Sequence, residues 1–222
     1  FFRNVFINFK SRLSGLFVVI GVCMLSAIIL FIIYYITSIN VVLLFIVFTI
    51  LLSSTFSVNM LLQTAVDVEN ALKDNIDKAR QLVSYLVSRK TDELTESFIV
   101  SAAIESLTEN ITDSYVAPEF YYFIFALIVL FYPFDNCLYF LLLVPMLYRI
   151  FNTLDAMLGY KTDELKDIGF VPAKIDDILN YIPARISGIY VVMSAYLLKL
   201  DVKNAYRIMR RDARKCPSPY SG

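Results

Sequence analysis

The 222-residue chain is 58% hydrophobic, carries 18 Phe and 15 Tyr but no Trp, and balances 20 basic against 20 acidic residues. Zero net charge excludes a global pull toward nucleic acid, and the apolar content exceeds what a soluble domain of this length needs. The absence of His excludes Ser-His and Cys-His catalysis, and the three scattered cysteines (Cys23, Cys137, Cys216) offer neither a CxxC zinc site nor a disulfide framework.

None of residues 13–66 is charged, a stretch long enough for two membrane spans of roughly 20 residues each. These are predicted at 16–36 and 41–62, with the polar 37–40 as the turn between them. Charge returns at Asp67, and 67–89 reads as a polar helix. A second polar helix is predicted to start after Thr91, with Asp92 and Glu93 in its first turn, and to reach about Asn110, before Pro118 closes the region. Two shorter apolar runs follow at 120–134 and 136–150, joined by the turn chemistry of 132–136. Glu119 and Arg149 are expected at the headgroup level, Arg149 by snorkelling.

A polar stretch over 149–185 precedes the last apolar run, 186–198, and a basic tail of Lys199, Lys203, Arg207, Arg210, Arg211, Arg214 and Lys215. Basic residues flank the first span, whereas the turns at 37–40 and 133–136 have none, so the N-terminus and both polar regions are expected on the cytoplasmic side of the cell membrane. A crossing by 186–198 would leave the basic tail outside. That run is therefore expected to re-enter or to pack inside the bundle. Lys-Thr-Asp-Glu-Leu occurs at 90–94 and again at 161–165, and both copies read as helix starts with Thr caps. The chain begins at Phe1 without a signal-peptide pattern and reads as a segment of a longer protein. The fold expected is all-α: one polytopic, membrane-embedded helical domain with amphipathic helices on the cytoplasmic side.

Four polar clusters carry candidate chemistry. Glu105 and Glu109 lie four apart with Asn110 and Asp113 beyond them, either a solvated acidic face or a pair of like charges that wants a cation between them. Asn152 and Asp155 share a face where an apolar helix ends; oxygen ligation of Mg2+ and simple capping, with Gly159 as the stop, both fit. Asp176, Asp177 and Asn180 fall on a helix predicted to be short, started by Pro172 and closed by Pro183, beside a membrane segment where unpartnered aspartates are costly. The fourth cluster is Arg210-Arg211-Asp212-Ala213 followed by Ser218-Pro219, by itself a basic tail near anionic headgroups. The six glycines form neither common phosphate loop, so a nucleotide would be held by oxygen-ligated Mg2+ and arginine forks.

In order along the chain, Glu105…Glu109-Asn110…Asp113…Pro118, then Asn152-Thr153-Leu154-Asp155…Met157…Gly159-Tyr160, then Asp176-Asp177…Asn180…Pro183-Ala184-Arg185, and finally Arg211-Asp212-Ala213…Ser218-Pro219…Gly222 resemble the adenosylcobinamide-phosphate synthase family of cobalamin biosynthesis, the CobD or CbiB type. The chain departs from the family at Ser88-Arg89-Lys90-Thr91, where Gly-Arg-Asp-Thr is usual, and at Ala102, Cys216 and Tyr220. The family's first and last motifs are not in it.

The resemblance implies an ATP- and Mg2+-dependent ligase that joins a carboxylate of the corrinoid adenosylcobyric acid to aminopropanol or its phosphate. On that chemistry Asp155, Asp176 and Asp177 are expected to hold Mg2+–ATP. Arg89, Arg185, Arg211 and Ser218 are expected to bind substrate, the first two against phosphate charge. Glu105, Glu109, Asn110, Asp113, Asn152 and Asn180 form the expected catalytic set, with Glu105 or Glu109 receiving the amine proton. Membrane lipid and the two substrates are the partners expected, with no nucleic acid. A Mg-dependent intramembrane lipid or prenyl transferase is the competing enzyme class, but its paired aspartate motifs sit on two long spans, unlike the second set here. A non-catalytic scaffold or transporter subunit would place polar residues in mid-span, and the two long spans have no charge.

Overall fold

A computed structural model describes residues 11–56, 58–87, 90–159, 162–163 and 165–212. Among them every regular element is helical. Helix α1 (Arg12–Thr37) starts where the Ser11 hydroxyl accepts a hydrogen bond from the Leu13 amide, and α2 (Val41–Ser53) where the Asn40 side chain accepts from Val42 and Leu43. The predicted turn at 37–40 thus forms, and the two helices make a hairpin. No residue of α2 is buried, and Phe17, Ile28, Ile32 and Ile36 of α1 are exposed. Such continuous apolar surface belongs against lipid.

The second apolar stretch does not run to residue 62. The hydroxyls of Ser53, Ser54 and Thr55 each donate to a carbonyl three residues back, at 2.7–2.9 Å, and a helix with three such competitors in a row stops. The 13 residues of α2 rise only about 20 Å, short of a bilayer core. The chain resumes as α3 (Val58–Asp74), and Asn75 caps a new helix, α4 (Ile76–Ser84), so the region read as one polar helix is two. With α5 (Glu96–Ile111) they enclose a small core of Val68, Ala71, Ala79, Val83, Ile99 and Ala102.

Neither copy of Lys-Thr-Asp-Glu-Leu begins a helix. At the first, the Leu94 amide donates back to Thr91, Arg80 takes the Leu94 carbonyl at 3.0 Å, and the helix starts at Glu96. At the second, Leu165 and Lys166 both donate to the Thr162 carbonyl, and the next helix waits until Phe170. In both, backbone bonds back to the Thr carbonyl close a turn ahead of the helix.

Pro118 does not end its region either. Helix α5 continues through one wide π turn (Thr112–Val116) into α6 (Ala117–Phe131), giving an unbroken rod of 36 residues. Pro118 occupies the first turn of α6, where its lack of an N–H costs least, and the π turn just before it relieves the clash its ring would make. The predicted turn at 132–136 forms, with Asn136 in the left-handed region (φ 58°) leading into α7 (Cys137–Leu158). The Tyr139 hydroxyl donates to the Ala27 carbonyl at 2.9 Å and ties α7 to α1. Leu30, Leu142 and Leu143 pack around it, and Val18, Val19, Leu154, Leu158 and Ile168 extend the same seam. Gly15 lets α1 touch the loop after α7, since a Cβ there would overlap the Ile168 carbonyl.

Helix α8 (Phe170–Leu197) is the largest departure from expectation. Pro172 lies in its first turn as predicted, but Pro183 sits inside it, so the aspartate-bearing segment and the last apolar run are one helix of 28 residues. Nor is that run packed inside the bundle: Ile189, Tyr190, Val191, Met193 and Tyr196 are exposed, while Ser187 and Ala195 are buried. The chain reverses at Lys199 (φ 57°), and α9 (Val202–Asp212) folds back along α8 with Met209 against Gly188. Three helical rods are long and apolar enough to cross a membrane: α1, α5–α6 and α7. The chain is a polytopic helical membrane protein.

Candidate active site

Where α7 turns back into α8, the π turn of the α5–α6 rod packs against both. The wide turn projects Asp113 and Ser114 toward α7, where the Arg149 guanidinium donates to the Asp113 carbonyl at 2.9 Å, to Ser114 Oγ at 3.3 Å and to Asn152 Oδ1 at 3.3 Å. Arg149 therefore does not snorkel to the headgroups. It turns inward, where three acceptor oxygens face it from two helices. Asn152 passes the chain on through its amide, which lies 3.5 Å from Asp176 Oδ1. Asn180, one turn further along α8, donates to Asp176 Oδ2 at 2.9 Å and accepts from the Tyr148 hydroxyl at 2.8 Å.

Asn180 is 1% exposed and Asp176 8%, so this is a buried polar network spanning three elements. Burial, reinforced by the charges of Asp113 and Asp155, pushes the Asp176 carboxyl up to about 7, against the opposing hydrogen bonds from Asn180 and Asn152. Asp113 Oδ1 is buried and has no hydrogen-bond partner among the described residues. Glu109 stands within electrostatic reach of Asp113, Glu105 and Asp155. Asp155 is placed by the helix end itself: Gly159 caps α7 by donating to the Asp155 carbonyl at 2.7 Å, and a Cβ on Gly159 would overlap Asp155 Oδ1. Capping and presentation of a carboxylate are here one arrangement.

The structure thus brings together Asp113, Asn152, Asp155, Asp176 and Asn180. It does not assemble Asp155, Asp176 and Asp177 as a closed metal shell: among the described residues no group of three or more His, Cys, Asp or Glu is placed to hold a metal ion. The reason is helical phase. Asp177 points about 100° away from Asp176 and pairs with Lys174 at 3.2 Å, within electrostatic reach of Asp155, while both Asp176 oxygens are taken by asparagines. Glu105 and Glu109 are exposed on α5 beside the cluster. Asn110 is turned into its own helix, donating to the Ser106 carbonyl at 2.8 Å. Arg185 stacks over the Tyr181 ring at 3.6 Å and donates to the Tyr181 carbonyl, so it serves the outer face of α8. Arg211 is in the last turn of α9. Arg89 and Ser218 lie outside the described residues.

Three network members carry no expected role in catalysis or binding from sequence: Tyr148, Arg149 and Tyr121. Spacing carried a signal for two, since Tyr148 precedes Asn152 by four and Arg149 by three, both same-face separations. Nothing local marked Tyr121, whose hydroxyl donates to the Leu179 carbonyl across 58 positions of sequence.

Residues 1–222 match the family model described as CobD/Cbib protein. A probable cobalamin biosynthesis protein CobD of Methanothermobacter thermautotrophicus is 44% identical over 220 residues, covering 99% of this chain and 67% of that protein. The probable cobalamin biosynthesis protein CobD of Methanococcus aeolicus is 40% identical over 176 residues, 79% of this chain and 52% of the relative. The cobalamin biosynthesis protein CobD of Clostridium tetani is 36% identical over 218 residues, 96% and 64%. The chain therefore spans between about half and two-thirds of the length of these relatives. No solved structure matches it. On a whole-chain family match and relatives of this identity, the chain belongs to the CobD/CbiB family of cobalamin biosynthesis proteins.

Proposed function

We propose that the full-length protein is an ATP-dependent acid–amine ligase that joins a propionate carboxylate of adenosylcobyric acid to aminopropanol or aminopropanol phosphate. Its site would lie at the α7–α8 turn, on the cytoplasmic face of the cell membrane. The observation that supports a cation in this reading is Asp113, whose buried Oδ1 accepts no hydrogen bond although Arg149, Asn152 and Tyr148 stand near its carboxyl, in a cluster where Asp155 and Asp176 add like charge. Such a cluster calls for a cation. Its donors are oxygens, which suits Mg2+, and Mg2+ characteristically uses one or two carboxylates plus phosphate oxygens and water.

In this scheme Asp113 and Asp155 would supply the protein oxygens for the metal, a revision of the expected set of Asp155, Asp176 and Asp177. Bound Mg2+–ATP supplies the phosphoryl group that turns a carboxylate oxygen into a leaving group. Asn152 and Asn180 orient Asp176, and Arg149 fixes the π turn that carries Asp113. Glu109, exposed at the edge of the cluster, would accept the proton released when the amine attacks, with Glu105 one turn away.

The test is complementation. The full-length gene should restore growth of a strain that cannot make cobinamide from cobyric acid, and failure to do so would overturn the assignment. With purified full-length protein, Gly159→Ala, which forces the Asp155 carboxylate aside, is expected to lower the rate of amide formation by roughly ten- to a hundredfold. Unchanged turnover would show that Asp155 has no part in the chemistry.

A further inference from the structure

A proline inside a helix has no N–H for the carbonyl four residues before it. In α8 that proline is Pro183 and that carbonyl belongs to Leu179, in the turn that carries Asp176 and Asn180. Yet α8 continues to Leu197. The missing donor comes from another helix: the Tyr121 hydroxyl of α6 reaches the Leu179 carbonyl at 2.7 Å. The Tyr121 ring stacks on that of Tyr148, centroids 5.4 Å apart and planes 26° apart, and Tyr148 in turn donates to Asn180 Oδ1. Two stacked tyrosines from two helices thus hold consecutive residues of α8, one by its backbone and the next by its side chain. Further along α8, the hydroxyls of Thr112 and Ser187 lie 2.9 Å apart and bind the same helix to the π turn that bears Asp113.

We propose that Tyr121 is a positioning residue whose hydroxyl replaces the amide absent at Pro183, and that with Tyr148 it sets the Asp176–Asn180 turn against Asp113 and Asn152. A proline gap without a substitute donor is where a helix bends. Bending here would swing the Asp176 half of α8 away from the π turn. Phenylalanine at 121 keeps the stacking and loses the donor, so the hydroxyl alone can be tested.

The activity readout rests on the ligase reading; a second readout does not. Full-length protein in mild detergent is compared as wild type, Tyr121→Phe, Pro183→Ala and the double variant, since Pro183→Ala restores the backbone N–H to Leu179. Tyr121→Phe is expected to lower kcat for amide formation by about tenfold, with KM little changed, and to lower the thermal midpoint. In the Pro183→Ala background the same substitution should cost less than about twofold and move the midpoint hardly at all. Equal losses in both backgrounds would overturn the proposal, because the hydroxyl would then act on something other than the proline gap. If wild type forms no amide, the ligase reading fails, and the midpoints alone decide this one: non-additive shifts support it, additive shifts refute it. Pro183→Ser, which also restores the N–H, replaces Pro183→Ala if that variant does not accumulate.

Discussion

Asp176→Asn in the full-length protein is expected to lower amide formation by about a hundredfold or more, while Asp177→Asn stays within about fivefold of wild type. The two aspartates are adjacent in sequence and look equivalent there. In the fold Asp176 is buried with an asparagine on each oxygen, and Asp177 is a partly exposed partner of Lys174. Steady-state turnover of the two variants separates them, and equal losses would restore Asp177 to the metal set.

Asp176 also makes a prediction in pH. Its folded-state carboxyl is raised from the ordinary 3.8 to about 7, chiefly by burial. Between those values the folded protein holds a proton that the unfolded chain has lost, so stability declines as pH rises through the window and levels off above it. The decline is expected to be shallower in Asp176→Asn than in wild type, since the other carboxylates of the cluster remain. A thermal-midpoint profile from pH 4 to about 8 reads it, and parallel profiles for the two proteins would contradict the placement of Asp176.

The second large effect is expected at Arg149. Replacing it by Met leaves the Asp113 carbonyl, Ser114 and the Asn152 side-chain oxygen without their shared donor. The expected destabilisation is about 3 kcal/mol, measured by detergent-denaturant titration, together with loss of activity. Arg149→Lys recovers only part of either, since an ammonium on a flexible stem does not present the guanidinium fork that serves acceptors on two helices at once. Full recovery by Lys would reduce Arg149 to a point charge, and a neutral Met variant would return it to the snorkelling position read from the sequence.

The successes and failures of sequence reading divide by physical range. Membrane class, the first span, the turns at 37–40 and 132–136, and Pro172 in a first turn are local matters. They follow from uncharged length, side-chain caps and the fixed φ of proline, and they appear in the structure. The misjudged boundaries all involve a partner far away in sequence or a local competitor of unseen strength. Three consecutive hydroxyls stopped α2 at Ser53, Arg80 held the Leu94 loop open, and Tyr121 let α8 pass through Pro183.

The site divides the same way. Asn152, Asp155, Asp176 and Asn180 were legible as candidates because polar residues at helical spacing beside membrane segments are costly unless they serve a purpose. Their division of labour was not. Adjacent aspartates differ only by the 100° that separates consecutive positions on a helix, and which of them faces inward depends on the rotation of α8 against α7 and the π turn. Tyr121 and Arg149 act through acceptors on other helices. By itself the sequence determined a helical membrane protein and the residue types at its polar end, since hydropathy and spacing act along the chain. Only the tertiary structure decided which carboxylate is buried, which arginine turns inward and which hydroxyl fills a proline gap, because those choices are made by groups that meet only when the helices pack.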